Sequence, residues 1–174
     1  YDVGNEMENV RFFGGDYGIY TTKTSPGWQM MMINTYFEGQ RKAAIKSQEG
    51  GLTIVRLTAK NVPSVVEIEP NYSDRLFMED CIFENIKGPA IVVSNENNHT
   101  NQISLRNIVC KNVSLLVQYS KSNTQTLGKG SIYVVQNYTH GLHIKDMSAE
   151  PENETVYKIE SLKSMPDSPM DDIP

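Results

Sequence analysis

The chain has 174 residues, enough for one domain with a sizeable core, and no apolar run approaches the roughly 20 residues that span a bilayer, so no membrane segment is expected. The net charge of −5 is uneven: from Asp146 onward eight acids face two bases, which leaves thirteen acids and fourteen bases in the first 145 residues. A nearly neutral body has no basic footprint for nucleic acid and none for an anionic polymer bound by charge alone.

The chain opens on Tyr1 with no initiator Met and no signal-peptide pattern, which suggests a processed product or a piece of something longer. The stretch FFGGDYGIYTTKTSPGWQ, residues 12–29, is the most site-like. It holds Asp16, Tyr17, Tyr20 and the single Trp28, and Glu38 follows one turn later. Sugars are recognised by aromatic faces and carboxylates, and glycoside hydrolysis uses two carboxyl groups about 5 to 9.5 Å apart. Asp16 and Glu38 are therefore the candidate catalytic residues, with Tyr17, Tyr20 and Trp28 as candidate substrate-binding residues. The plain alternative is an N-terminal coil closed by aromatic packing, with Asp16 serving a Gly-Gly turn.

Three twelve-residue stretches follow with one shared pattern: GLTIVRLTAKNV from Gly51, RLFMEDCIFENI from Arg75 and QISLRNIVCKNV from Gln102. Apolar residues fall at places 2, 4, 7, 9 and 12 of each, for example Leu52, Ile54, Leu57, Ala59 and Val62. Steps of two are strand alternation, and each step of three is a bend that resets the phase. A third apolar stretch follows each unit (VVEI at 65–68, AIVV at 90–93, LLVQY at 115–119), and a polar loop then returns the chain to its start. QMMMINTYFEGQ (29–40) and SIYVVQNYTHGL (131–142) read as weaker copies, the second with Ile132, Val134 and Leu142 inward.

In this register the eleventh places are Gly39, Asn61, Asn85, Asn112 and Gly141, spaced by 22, 24, 27 and 29 residues. Three-sided coils of that length predict an all-β parallel β-helix of five to six coils over residues 1–145, about 25 Å tall at the usual strand spacing. Residues 146–174 are expected to form an acidic, Pro-containing, partly irregular tail. Asn tolerates the left-handed backbone of a tight corner, and stacked amides can hydrogen-bond from coil to coil. Place ten points outward and reads Glu38, Lys60, Glu84, Lys111, His140, an alternating ion-pair ladder that competes with a catalytic role for Glu38. Place eight also points outward and reads Tyr36, Thr58, Ile82, Val109, Tyr138, flanked by Met31, Phe77, Tyr133, Ile33, Val55 and Val135. So apolar a stripe should be covered, by the tail, another subunit or another domain.

Cys81 and Cys110 fall on inward places two positions apart on adjacent coils, too far for a disulfide, and are expected as buried thiols. His140 and His143 lie three apart on a strand, facing opposite sides, with no third ligand nearby in sequence, so no metal and no cofactor is expected. Five Asn-x-Ser/Thr sequons occur, but Asn112 sits in the proposed ladder, where a glycan would not fit.

With the coils in place, WQMMMINTYFEGQRKAAIKSQEGGLTIVRL and MEDCIFENIKGPAIVVSNEN resemble the right-handed parallel β-helices of the pectin-lyase-like superfamily, over about residues 10 to 150. Within it they look most like bacterial pectate-lyase-superfamily or glycoside-hydrolase-family-55-like proteins. The resemblance implies a secreted, periplasmic or cell-surface protein that meets polysaccharide or oligosaccharide, as a hydrolase or lyase. It also implies a second β-helix beside the first. The polygalacturonase-type motifs are missing, and THGLH only grazes one of them. A near-neutral body suits a neutral glucan better than pectate. The competing expectation is a non-catalytic β-solenoid module for scaffolding, glycan binding or oligomerisation.

Overall fold

The computed structural model describes residues 5–21, 29–48, 51–68, 75–93, 102–143, 146–148, 150 and 152–166. Among them are thirteen strands and no helix, and so no helix long and apolar enough to cross a membrane. The strands form a β-solenoid of about four turns whose two walls are mixed sheets. The long wall stacks β1 (Asn5–Phe13), β3 (Gln29–Glu38), β5 (Gly51–Val62), β7 (Arg75–Ile86), β9 (Gln102–Val113), β12 (Ile132–His143) and β13 (Glu152–Ser161) in that order. The short wall stacks β2 (Tyr17–Tyr20), β4 (Ala43–Ser47), β6 (Val66–Ile68), β8 (Ile91–Val93), β10 (Leu115–Tyr119) and β11 (Thr124–Leu127).

The three strong repeats are β5, β7 and β9, paired in parallel in the register their apolar pattern demands: Leu52 beside Leu76 beside Ile103, Ile54 beside Met78 beside Leu105. All fifteen inward candidates of these strands are buried. The physical cause of the steps of three is visible in the backbone. Asn61, Asn85 and Asn112 at place eleven have φ of 56°, 55° and 57°, and Gly14 and Gly39 occupy the same corner in β1's and β3's turns. The Asn85 amide donates to Asn61 Oδ1 at 3.1 Å, and the Asn112 amide to Asn85 Oδ1 at 2.8 Å, so the predicted ladder forms. A second left-handed column stands at place six: Asn9, Asn34, Arg56, Asp80 and Asn107. Asn34 donates to Asn9 at 3.1 Å, Arg56 Nε to Asn34 at 2.7 Å, and Asn107 to Asp80 at 2.8 Å. Each non-glycine corner thus offsets the cost of its strained backbone with a coil-to-coil side-chain hydrogen bond.

Residues 5–13, which carry no obvious copy of the repeat, form a rung in full register with β3, from Asn5 beside Met30 to Phe13 beside Glu38. The last repeat departs from expectation. The loop after β10 folds into a hairpin with β11, antiparallel to it, so the chain re-enters the long wall from the opposite side. β12 therefore runs antiparallel to β9, with Tyr133 beside Cys110 and Tyr138 beside Leu105. This reversal exchanges the faces. Tyr133, Val135, Tyr138 and His140 point into the core, while Leu142 is exposed and Ile132 and Val134 are half-buried. Tyr138 leaves the outer stripe, His140 leaves the charge ladder, and Gly141 has no left-handed backbone. The parallel stack consequently ends before this segment, and 131–142 is not a further coil. The acidic tail supplies β13, an ordered strand antiparallel to β12. Its Glu152, Glu154, Lys158 and Glu160 mark the edge with charge, which discourages strand addition.

The core column at place nine reads Phe12, Phe37, Ala59, Phe83, Cys110, Tyr133, alternating in bulk from Phe37 onward. Phe12 and Phe37 stack with centroids 4.8 Å apart, which leaves the small Ala59 between the Phe37 and Phe83 rings. Cys81 and Cys110 are free and buried, and burial pushes both thiols up to about 12. Tyr133 donates to the Val113 carbonyl at 2.7 Å, and the Tyr119 and Tyr138 hydroxyls share a hydrogen bond inside the core.

Within the place-eight stripe Thr58, Ile82 and Val109 are buried, while Met31 and Phe77 beside it stay exposed. Ile82 is 5% and Val109 6% exposed, with Val134 of the reversed strand closing the row beside Val109. The place-ten ladder forms beside it, with Glu84 3.4 Å from Lys60 and 3.7 Å from Lys111. Lys60 also reaches across to sit 5.9 Å from the Tyr36 ring centre, so its aliphatic stem lies over the stripe.

Candidate functional site

The five residues singled out from the sequence fall as follows. Asp16 sits in the turn between β1 and β2, exposed, with its Oδ1 2.8 Å from Arg41 Nε on the next rung. That hydrogen bond and charge hold its carboxyl below the usual carboxylate range, with Lys42 adding to the effect. A carboxylate kept ionised can serve as a base or an electrostatic partner but not as a general acid. Glu38 ends β3 and accepts a 2.7 Å hydrogen bond from the Tyr36 hydroxyl. Burial foremost, and then this bond, pushes the Tyr36 phenol up to about 12. The two carboxylates thus engage different partners on different sides of a corner.

Tyr17 and Tyr20 meet edge to face at 5.3 Å in β2. Cations already lie on them: Lys42 and Lys46 are 5.9 and 5.7 Å from the Tyr17 centre, and Lys46 is 6.0 Å from that of Tyr20. Lys46 is itself tied to Glu67 at 3.3 Å. Trp28 lies outside the described residues. His140 is buried, with Nδ1 2.7 Å from Thr155 Oγ1 and its ring 4.9 Å from that of Tyr119. Among the described residues, no group of three or more His, Cys, Asp or Glu is placed to hold a metal.

The structure assembles a different concave surface, on the outer face of the long wall. Place three forms a row across the strands: Met31, Thr53, Phe77, Ser104, Thr139, Val156. In its middle the Phe77 ring stands 38% exposed. On one side of it lies a hollow of about 280 Å³ lined by Gln102, Ser104, Thr139, His140, Gly141, Leu142, Glu154 and Val156. On the other side lies a smaller hollow of about 70 Å³ lined by Gln29, Gly51, Thr53 and Arg75. Phe77 and Gln102 border both. The arrangement is an aromatic platform between two recesses of mixed polar and apolar lining, whose rims carry one guanidinium and one carboxylate. It runs across the strands, along the solenoid axis.

Half of this groove was within reach of the sequence: Thr53, Phe77 and Ser104 share place three of the strong repeats, so an outward aromatic between two hydroxyls follows from the register alone. The other half was not, because Thr139, Gly141, Glu154 and Val156 come from the two antiparallel strands. Comparison with protein-family models and with curated proteins finds no match to the chain. What is shown is therefore a β-solenoid of about four turns with parallel sheets, without assignment to a family.

Proposed function

We propose that this chain is a β-solenoid module that binds a neutral polysaccharide or oligosaccharide along the groove at Phe77. The observation that carries the reading is the half-open Phe77 ring flanked by two recesses in which amide and hydroxyl groups sit among apolar side chains. Sugar rings offer an apolar face to an aromatic and a rim of hydroxyls to polar side chains, and such sites combine both. The balanced rim, with Arg75 and Glu154, and the near-neutral body favour an uncharged chain over pectate. Phe77→Ala should weaken binding of soluble neutral glucans by about tenfold or more, the scale of one well-placed aromatic anchor. The measurement is affinity electrophoresis in laminarin or mixed-linkage β-glucan. Wild-type migration unchanged by every glucan would sink the proposal.

A catalytic reading draws on the resemblance to right-handed parallel β-helices of the pectin-lyase-like and family-55-like kind. In it the chain is the β-helix portion of a secreted polysaccharide-degrading hydrolase or lyase, with a second β-helix or subunit against it. The observation in its favour is Asp16, held ionised beside the Tyr17 and Tyr20 pair. Asp16 and Glu38 would be its base and acid, and Tyr17, Tyr20 and Trp28 its stacking residues. If so, the double variant Asp16→Ala/Glu38→Ala should cut reducing-sugar release from glucan by about a hundredfold or more. Unchanged release would remove these two residues from the chemistry.

A further inference from the structure

Gly141 occupies an interior position of β12, where glycine is costly in conformational entropy and offers no side chain to the sheet. The other glycines around it have visible reasons. Gly39 adopts φ +77° at a corner, and Gly130 adopts φ +79°. At Gly18 an added Cβ would lie 2.5 Å from the Phe37 ring, and at Gly128 2.5 Å from the Tyr133 ring. Gly141 has neither reason: its φ lies outside the left-handed region, and an added Cβ would meet only Gln102 Cγ, at an ordinary 3.7 Å. Folding therefore does not demand glycine here. What the missing side chain leaves open is the wall of the larger hollow.

We infer that Gly141 is the close-approach point of the groove, where a sugar ring packs directly on the β12 main chain. Phe77 then divides two subsites of unequal size, a roomy one over Gly141 and a narrow one over Thr53. The roomy subsite admits a substituted or branched residue, and the narrow one only a bare ring. Gly141 is a specificity-determining residue in this account, set by bulk rather than by charge. The inference rests on the proposal that the groove binds glycan.

The test is affinity electrophoresis and calorimetry with linear mixed-linkage β-glucan and side-branched laminarin, applied to wild type, Gly141→Ala, Gly141→Phe and Phe77→Ala. Gly141→Ala should fold as wild type does, because the added methyl meets only Gln102 Cγ, yet weaken binding by about threefold, because a ring seated on the main chain meets that methyl. Gly141→Phe should weaken binding about tenfold or more, and more for the branched glucan than for the linear one. Wild-type binding lost in Phe77→Ala but kept in Gly141→Phe would overturn the inference while leaving the groove in place. Absence of wild-type binding to both glucans would overturn the glycan reading itself. If Gly141→Phe fails to fold by circular dichroism, Gly141→Val carries the same comparison with a smaller obstruction.

Discussion

Phe83→Ala is expected to lower the stability of the domain by about 3–5 kcal/mol. The ring is fully buried in β7 at place nine, between Ala59 on one rung and Cys110 on the next. Both neighbours are small, so neither can relax into the space the ring leaves. The cost is therefore the lost transfer energy of the ring plus a poorly collapsed cavity. Chemical denaturation should show a lower midpoint. Ala59→Leu is the complementary probe: the alternation of bulk leaves no room between Phe37 and Phe83, and overpacking should itself destabilise by about 1–3 kcal/mol. A loss below 1 kcal/mol for Phe83→Ala would show that the core collapses freely and that the alternation is not a packing constraint.

Asn85→Val should destabilise by about 2–4 kcal/mol, although the side chain is exposed, because two costs coincide there. The backbone sits at φ 55°, which a β-branched residue resists by about 1–2 kcal/mol. The amide also donates to Asn61 and accepts from Asn112, bonds worth about 0.5–1 kcal/mol each when solvent competes. Asn85→Gly separates the two, since glycine meets the backbone need and removes only the ladder. It should cost about 1–2 kcal/mol, and equal losses for the two variants would show that the corner's backbone carries no strain. Equilibrium unfolding in urea, with all variants compared at constant slope, makes the distinction.

The two experiments probe the levels on which this architecture rests. Phe83 tests the inward rows, which bury apolar surface rung upon rung. Asn85 tests the corners, which make those rows possible by turning the strand without breaking its pairing. A groove on the outer face depends on both, because its rows are built from one residue per rung and any slip of register would scatter them. Slipping one strand by a single residue would carry Phe77 from the outer face into the wall's interior.

Some of this was legible from residues alone, and for a definite reason. The parallel turns β5, β7 and β9 repeat one local chemistry at nearly constant period, and their stacking partners are their own copies. Reading one strand's alternation was therefore enough to place the neighbours, the ladder of Asn61, Asn85 and Asn112, and the buried thiols. The place-six column escaped because its members, Asn, Asn, Arg, Asp and Asn, share a backbone conformation rather than a letter. β1 escaped because the residue in register with Met30 at its start is a polar one, Asn5. The tertiary structure alone decided the end of the stack, where the β10–β11 hairpin reverses the chain. SIYVVQNYTHGL carries two interleaved apolar sets, Ile132, Val134 and Leu142 against Tyr133, Val135 and Tyr138, and strand alternation cannot choose between them. Strand direction makes the choice, and direction depends on a hairpin encoded elsewhere in the chain. Gly141, Thr139 and Glu154 follow that choice, so the larger half of the candidate groove comes into being only when the last two strands take their places.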